Sequence, residues 1–349
     1  MVVSKAAILK FFLFSILTLI SLWDVYHLVY GKIFDIISFG LICLYLIFSK
    51  KLSLDLNDNF VIAFFFISIV AIFIDPMAQM GVLIGIITYI FFRSLKINLS
   101  SIVFLVLILL FFLQLVDLMY YFLFDHALSF YSEGFMAKRN YDGSNFFRPT
   151  GVFAEANALS VSVIMLYGMI SKNFKNYKLI TIIVLLSLGI SLSLFGFFSA
   201  IVIALLFAFE NHSFKKSLLL LLTLMILILE IIISLGFLPI ILERLTNFQE
   251  DPSFIARLGL NIEYSLDVLI PKGFATDPAV MDRHAANGFL SLFYATGIFL
   301  PLFIYFYFKS ACDLRRKVLY FLILLSNPLF TTALFWAFLA RTRKGRCEW

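Results

Sequence analysis

The sequence predicts an all-α, polytopic integral membrane protein with about 11–12 transmembrane helices and two long loops on its external face. Of its 349 residues, 62% are hydrophobic and 14% are charged, whereas a soluble domain is roughly 45–50% apolar and about a quarter charged. The apolar residues form continuous runs, such as 102–124 and 218–238, without the in–out alternation of barrel strands. Since backbone polar groups must be paired inside hydrocarbon, these runs indicate spanning helices.

Apolar segments separated by polar or charged stretches define the predicted helices. They lie near 6–23, 33–48, 60–74, 77–92, 101–124, 151–171, 179–193, 195–209, 217–238, 287–308 and 318–340. The first is predicted to be a retained helix, because no small-x-small cleavage site follows it and another apolar run soon does. The stretch 179–209 is too long for one span, so Ser193–Gly196 is predicted to be a tight turn. Asn327-Pro328 interrupts the last run and predicts either two short helices or a re-entrant loop.

The net charge of +6 comes from Lys and Arg clusters in short loops, a pattern that reports membrane topology rather than a nucleic-acid partner. A cytoplasmic N-terminus places the basic residues of five loops on the cytoplasmic side. These are Lys50 and Lys51, Arg93 and Lys96, Lys172 to Lys178, Lys215 and Lys216, and Lys309 to Lys317. Strict alternation over eleven helices would instead put the basic tail Arg341–Arg346 outside, which conflicts with the same rule.

Residues 1–349 are predicted to form a single transmembrane domain with two long external loops, 125–150 and 239–286. In the second loop, Asp251-Pro252 is a predicted helix start, with Asp as the N-cap and Pro at the first helical position. An amphipathic helix is predicted near 253–270, because apolar residues recur at three- and four-residue spacing. We expect it to lie along the membrane surface.

No signature of a metal or nucleotide site is present: the sequence has no Gly-rich phosphate loop, Cys-x-x-Cys or HExxH. The three cysteines are far apart, so neither a disulfide framework nor a metal site is predicted, and no cofactor. Next to the predicted outer membrane surface stand four cations, Arg148, Arg257, Lys272 and Arg283, and His284. Guanidinium groups suit a phosphate ligand because they offer a permanent charge and a bidentate fork. Solvation or contact with lipid headgroups is the competing interpretation for each of them.

Two stretches carry a resemblance to a known family. Residues 148–160, RPTGVFAEANALS, resemble the Arg-x-x-Gly-Phe-x-Glu-x-Asn-x-x-Ala segment of bacterial O-antigen polymerases of the Wzy type. Arg257, then PKGF at 271–274, then His284 followed by NGFL at 287–290, resemble the C-terminal part of the O-antigen polymerase and ligase superfamily.

The resemblance implies a metal-independent glycosyltransferase in the bacterial inner (cytoplasmic) membrane. Such an enzyme transfers a growing glycan from undecaprenyl diphosphate to a sugar hydroxyl of a lipid-linked repeat unit at the periplasmic face. The implied partners are the undecaprenyl-diphosphate-linked oligosaccharide and the lipid bilayer, with no nucleic acid. Whether a chain-length regulator protein also binds stays open.

Residue roles follow from the resemblance together with the chemistry of the leaving group. Arg148 and Arg257 are expected to bind the donor diphosphate, Lys272 or Arg283 to assist, and His284 to activate or orient the acceptor hydroxyl. The residues expected to contact substrate also include Arg139, Glu155, Asn157 and Asn287. Glu155 lies near a predicted helix N-terminus, where a carboxylate is also stabilised by the helix dipole, so a structural role is equally open.

Two other functions are compatible with the sequence. An O-antigen ligase uses the same donor but a lipid A core acceptor. A flippase or transporter of lipid-linked oligosaccharide would place ionisable residues at mid-membrane, where this chain has only Asp35, Asp117 and Glu230. Most of the other polar residues lie at the predicted external surface, which favours an enzyme.

Overall fold

The computed structural model describes residues 5–22, 31–49, 58–73, 76–95, 97–124, 149–151, 153, 156–210, 288–309, 311–326 and 332–342, with 223, 226, 230 and 233 as single positions. Across these residues, helix is the regular structure and no strand occurs. The all-α class predicted from the apolar runs is therefore confirmed for the described chain.

Twelve α-helices lie within the described ranges. They are α1 (Lys5–Ser21), α2 (Gly31–Ser49), α3 (Asn59–Ala71), α4 (Pro76–Ser94), α5 (Ser100–Phe124), α6 (Ala156–Gly168), α7 (Tyr177–Ile190), α8 (Leu194–Glu210), α9 (Gly288–Thr296), α10 (Leu300–Lys309), α11 (Leu314–Leu325) and α12 (Ala333–Thr342). A 3₁₀ turn, Gly297–Phe299, joins α9 to α10. Of the predicted helix 217–238, only the four single positions are described, and each is helical.

Helix length and composition single out two stretches. In the described chain, Ser100–Phe124 and Ser291–Lys309 are long and apolar enough to cross a bilayer. Shorter apolar segments, of 10–17 residues, lie within other helices of the described chain.

The chain reverses direction between α11 and α12. Cys312 donates its backbone N–H to the carbonyl of Thr342 over 3.2 Å, and the Tyr320 hydroxyl lies 2.7 Å from Thr342 Oγ1. The end of α12 therefore lies beside the start of α11, so the last apolar run forms two antiparallel helices. Arg341 consequently lies at the same end of this helix pair as Arg315.

The cysteines depart from expectation in one respect. Cys43 is a free thiol in α2, whereas Cys312 is disulfide-bonded. The cysteine pattern predicted no disulfide framework and did not identify the bond at Cys312, because spacing along the sequence does not reveal which cysteines the fold brings together.

The chain divides into two compact units, the first comprising residues 1–23, 32–99 and 252–349. In this unit α12 packs along α4, and the fully buried indole of Trp336 lies where a side chain at Gly85 would overlap it. Phe64 meets the same indole edge-on, with ring centroids 5.6 Å apart. Asp58 caps α3 by accepting the N–H of Phe60 over 3.0 Å, and its other oxygen accepts the Tyr89 hydroxyl over 3.1 Å.

The second unit comprises residues 24–31 and 100–251 and contains α5 to α8. At one of its ends the Lys172 ammonium pairs with Glu210 at 2.6 Å, and the Tyr177 hydroxyl donates to the same carboxylate over 3.2 Å. Ser100, at the start of α5, accepts the N–H of Ser171. We call this the lysine end. The start of α5, the end of α6, the start of α7 and the end of α8 thus meet there, so the four helices alternate in direction.

Apolar side chains cover the exposed as well as the buried faces of these helices. On α5, Phe112, Met119 and Phe122 are 58–62% exposed, whereas Gln114 and Asp117 are completely buried. Large exposed apolar side chains recur on α1, α2, α3, α8 and α10. A surface helix in water instead carries charged and polar residues on its exposed face.

Candidate functional site

The segment that carries the family resemblance begins as a turn and becomes helical later than predicted. Gly151 has a left-handed backbone (φ 63°), which glycine adopts at no steric cost. Thr150 and Phe153 bond to each other: the Thr150 hydroxyl donates to the Phe153 carbonyl over 2.7 Å, and the Phe153 N–H donates to the Thr150 carbonyl over 3.2 Å. The prediction of a helix from Gly151 is therefore wrong, since α6 begins at Ala156.

Two side chains of α5 hold this turn. Gln114 donates its amide to the Pro149 carbonyl over 3.1 Å. One oxygen of Asp117, Oδ2, accepts the N–H groups of Thr150 over 3.0 Å and of Gly151 over 2.9 Å. Backbone groups of three consecutive residues, Pro149, Thr150 and Gly151, are thus bonded to α5. Residues 114 and 117 are three apart, so both project from the same helix face.

The turn also lies directly on the α5 backbone. A Cβ added at Gly151 would be 3.1 Å from the Gln114 nitrogen and 3.2 Å from the Leu113 carbonyl carbon. Backbone atoms cannot rotate away as a flexible side chain can, and the positive φ adds strain for any other residue. Both the conformation and the space at position 151 therefore require glycine.

The Gln114 amide extends the anchor to α7. Besides Pro149, its nitrogen donates to the Ser187 carbonyl over 3.0 Å, and its oxygen accepts the Ser187 hydroxyl over 2.8 Å. Both amide N–H groups and the amide oxygen are therefore engaged. A buried amide satisfied in this way fixes the turn, α5 and α7 to one another.

Asn157 is the predicted site residue that the structure describes. It lies in the first turn of α6, is 6% exposed, and accepts the Ser193 hydroxyl at its Oδ1 over 3.3 Å. One helical turn further on, the hydroxyls of Ser160 and Ser191 are 3.3 Å apart. Asn157 thus links α6 to the turn between α7 and α8. Its predicted contact with substrate stays a prediction.

The turn between α7 and α8 confirms the predicted division of the run 179–209, although it lies slightly earlier than Ser193–Gly196. Residues 191–193 leave the helix, with Leu192 at a positive φ of 51°. Gly196 follows in α8, where an added Cβ would lie 2.7 Å from the Leu188 carbonyl oxygen. The first turn of α8 therefore packs so closely against the end of α7 that a larger residue than glycine would clash at position 196.

The other predicted site residues lie outside the described residues. So do the predicted loop 239–286, with its predicted amphipathic helix 253–270, and residues 125–148 of the predicted loop 125–150. The site residues are Arg139, Arg148, Glu155, Arg257, Lys272, Arg283, His284 and Asn287. The described chain contains no group of three His, Cys, Asp or Glu residues arranged to hold a metal ion.

Sequence reasoning identified Asp117 as an intramembrane charge without assigning it a partner, and it missed Gln114 altogether. The available signal was the pair of polar residues, three apart, inside the otherwise apolar stretch Ser100–Phe124. No protein-family model, curated protein or solved structure matches the chain.

Proposed function

We propose that the chain is a polytopic membrane protein whose exposed apolar helix faces contact lipid. The support is the apolar exposed surface: Leu105, Ile108, Phe112 and Met119 form an exposed apolar stripe at three-, four- and seven-residue spacing on α5, while the polar Gln114 is buried. Exposed in water, apolar area of this kind is unfavourable by about 25 cal/mol per Å². In lipid the same apolar surface contacts apolar acyl chains, and the polar groups pair inside the bundle.

The positive charges at the helix ends support the predicted cytoplasmic location of the Lys- and Arg-rich loops. In the second unit, Lys172, Lys175 and Lys178 gather at the lysine end. In the first unit, Arg341 binds carbonyls beyond the end of α4, close in sequence to Arg93. Positive charge in short loops marks the cytoplasmic side, so the turn 149–151 would lie toward the periplasmic side.

We further propose that the chain is an O-antigen polymerase, or a polymerase of a related surface polysaccharide. The observation that carries this proposal is the anchored turn 149–151. Within the family-like segment 148–160, an irregular stretch of backbone is built into an apolar bundle by Gln114 and Asp117, away from the lysine end. Irregular backbone at membrane depth is tolerated where protein groups satisfy it, and intramembrane ionisable residues mark functional sites.

The chemistry assigned to this site is glycosyl transfer without metal. The acceptor hydroxyl loses its proton to His284 as its oxygen bonds to the anomeric carbon of the donor glycan. The bond from that carbon to the diphosphate oxygen breaks, and undecaprenyl diphosphate leaves. Arg148 and Arg257 stabilise the charge that accumulates on the diphosphate, with Lys272 or Arg283 assisting. Fixed cations are most effective there because the dielectric is low.

The test is incubation of the purified protein with defined undecaprenyl-diphosphate repeat units, in the absence of added metal. We expect glycans longer than one repeat unit, and no such product from Arg257→Ala or His284→Ala protein that remains in the membrane. Lys178→Ala, which alters an exposed lysine at the lysine end, is the matched control and should polymerise normally. Wild-type chain lengths from both site variants would refute the residue assignments.

Three further observations separate the two competing functions from a polymerase. A ligase would extend lipid A core rather than the repeat unit, and cells lacking it carry no repeat units on the core. Cells lacking the polymerase instead carry single repeat units. A transporter would move the lipid-linked oligosaccharide across vesicles and leave its length unchanged.

A further inference from the structure

We infer that Asp117 and Gln114 are positioning residues for the proposed reaction, acting through the turn 149–151. This inference rests on the proposed function, because that function assigns the donor diphosphate to Arg148, which one peptide bond joins to Pro149. The Pro149 carbonyl is bonded to Gln114, and the next two N–H groups are bonded to Asp117. The backbone that leads from Arg148 is therefore fixed to α5.

The anchored segment is held again further along the chain. Asn157 is bonded to Ser193 and Ser160 lies against Ser191, so the first turns of α6 are tied to the turn between α7 and α8. The stretch between the two anchors contains Glu155. The described residues before and after position 155 are thus held by two separate anchors. A displacement of about 1 Å at a reacting group can lower the rate about 100-fold.

The function of Asp117 in this geometry depends on an oxygen acceptor. A single oxygen, Oδ2, receives both N–H groups, and an amide oxygen also has two lone pairs. Asp117→Asn therefore keeps a group able to accept both hydrogen bonds and removes the carboxylate charge. Asp117→Ala removes the acceptor and leaves the Thr150 and Gly151 N–H groups buried without it. The two substitutions thus separate the geometry of the turn from its charge.

Gly151→Ala tests the same geometry by changing the turn instead of the α5 side chains that hold it. It leaves Gln114 and Asp117 intact but brings a methyl group within 3.1 Å of the α5 backbone at a positive φ. The turn must then shift away from α5. Any loss of turnover in this variant reflects the position of the turn rather than the chemistry of the carboxylate.

The experiment combines hydrogen exchange at the Thr150 and Gly151 amides with steady-state turnover of lipid-linked repeat units by full-length protein in detergent or nanodiscs. In the wild type both amides should exchange slowly. Asp117→Ala and Gly151→Ala should lose this protection, and kcat/KM should fall about 100-fold. Asp117→Asn should retain protection and recover most of the turnover lost in Asp117→Ala.

Each outcome bears on one proposal. Fast exchange in the wild type, or wild-type turnover in an Asp117→Ala protein that has lost protection, overturns the positioning inference. So does an Asp117→Asn protein with intact protection but no turnover. If Asp117→Ala fails to fold, Gly151→Ala provides the test instead. Wild-type turnover in a Gly151→Ala protein that has lost protection would also overturn the positioning inference. Absence of polymer from the wild type refutes the proposed function instead, while the exchange data still report the anchor.

Discussion

Replacement of Arg341 by alanine tests how α12 is fixed to α4. The guanidinium is buried, at 4% exposed, and it donates to the carbonyls of Ile97 over 2.6 Å, Leu95 over 3.0 Å and Phe92 over 3.4 Å. Phe92 lies in the last turn of α4, and the other two follow it. The last carbonyls of a helix lack partners within the helix, and a cation there also interacts favourably with the helix dipole.

The magnitude follows from the two shorter bonds, since the third is long for a hydrogen bond. A hydrogen bond to a charged group contributes about 1.5–3 kcal/mol, whereas bonds between helices in membranes average about 0.6 kcal/mol and reach about 1.7 kcal/mol. Two such bonds span about 1–6 kcal/mol, and we expect Arg341→Ala to lower the free energy of unfolding by about 3 kcal/mol. This corresponds to roughly a hundredfold change in the folding equilibrium.

Unfolding in mild detergent, followed by circular dichroism during a denaturant titration, measures this loss. Lys309→Ala is the matched control, because it removes one positive charge from an exposed side chain whose ammonium lies 5.0 Å from the Tyr305 ring centroid. An exposed cation–π contact contributes about 0.5–1 kcal/mol. Equal losses in the two variants, or no loss in Arg341→Ala, would refute the capping role.

Two pairs of substitutions probe the first unit. Gly85→Ala places a methyl group where the indole of Trp336 lies, so overpacking should lower the free energy of unfolding by about 1–3 kcal/mol. Gly40→Ala, where nothing lies within 4 Å, should instead raise it by about 0.5–1 kcal/mol, and equal Tm values for the two proteins would contradict this account. Asp58→Ala removes the cap of α3 and should lower the free energy by about 0.5–2 kcal/mol. Tyr89→Phe, which loses the hydrogen bond from its hydroxyl to that carboxylate, should have a smaller effect, and a larger loss of Tm in Tyr89→Phe would argue against the cap.

The helices were predictable where a continuous apolar run is bounded by charged or polar residues. The predicted helix 101–124 agrees with α5 to within one residue. The predicted helix 287–308 is instead two helices, because Gly297 adopts a positive φ of 55° and Pro301 has no N–H to donate. Apolar composition predicts that a segment is helical, but it does not show where the backbone turns within it.

The bonds that hold the turn 149–151 and those that hold α12 could not be predicted, because they join distant positions. Asp117 and Thr150 are 33 residues apart, and Arg341 and Leu95 are 246 apart. No local pattern encodes which buried polar groups meet over such separations. Residues 148–160 stood out in the sequence only by their family resemblance, and a helix was predicted from Gly151, whereas in the structure Thr150 and Gly151 both donate to a carboxylate on another helix.

The anchor on α5 also bears on the order in which the chain can be assembled during synthesis. Gln114 receives its Pro149 partner 35 residues later and its Ser187 partners 73 residues later. In the proposed membrane, α5 is therefore inserted well before α7 exists, with an amide and a carboxylate still lacking these partners in hydrocarbon. At the ordinary rate of synthesis of about 5–20 residues per second, that interval lasts several seconds. The insertion machinery, or water near the membrane surface, must accommodate these groups until the later helices arrive, so α5 to α8 are expected to leave the translocon as one bundle.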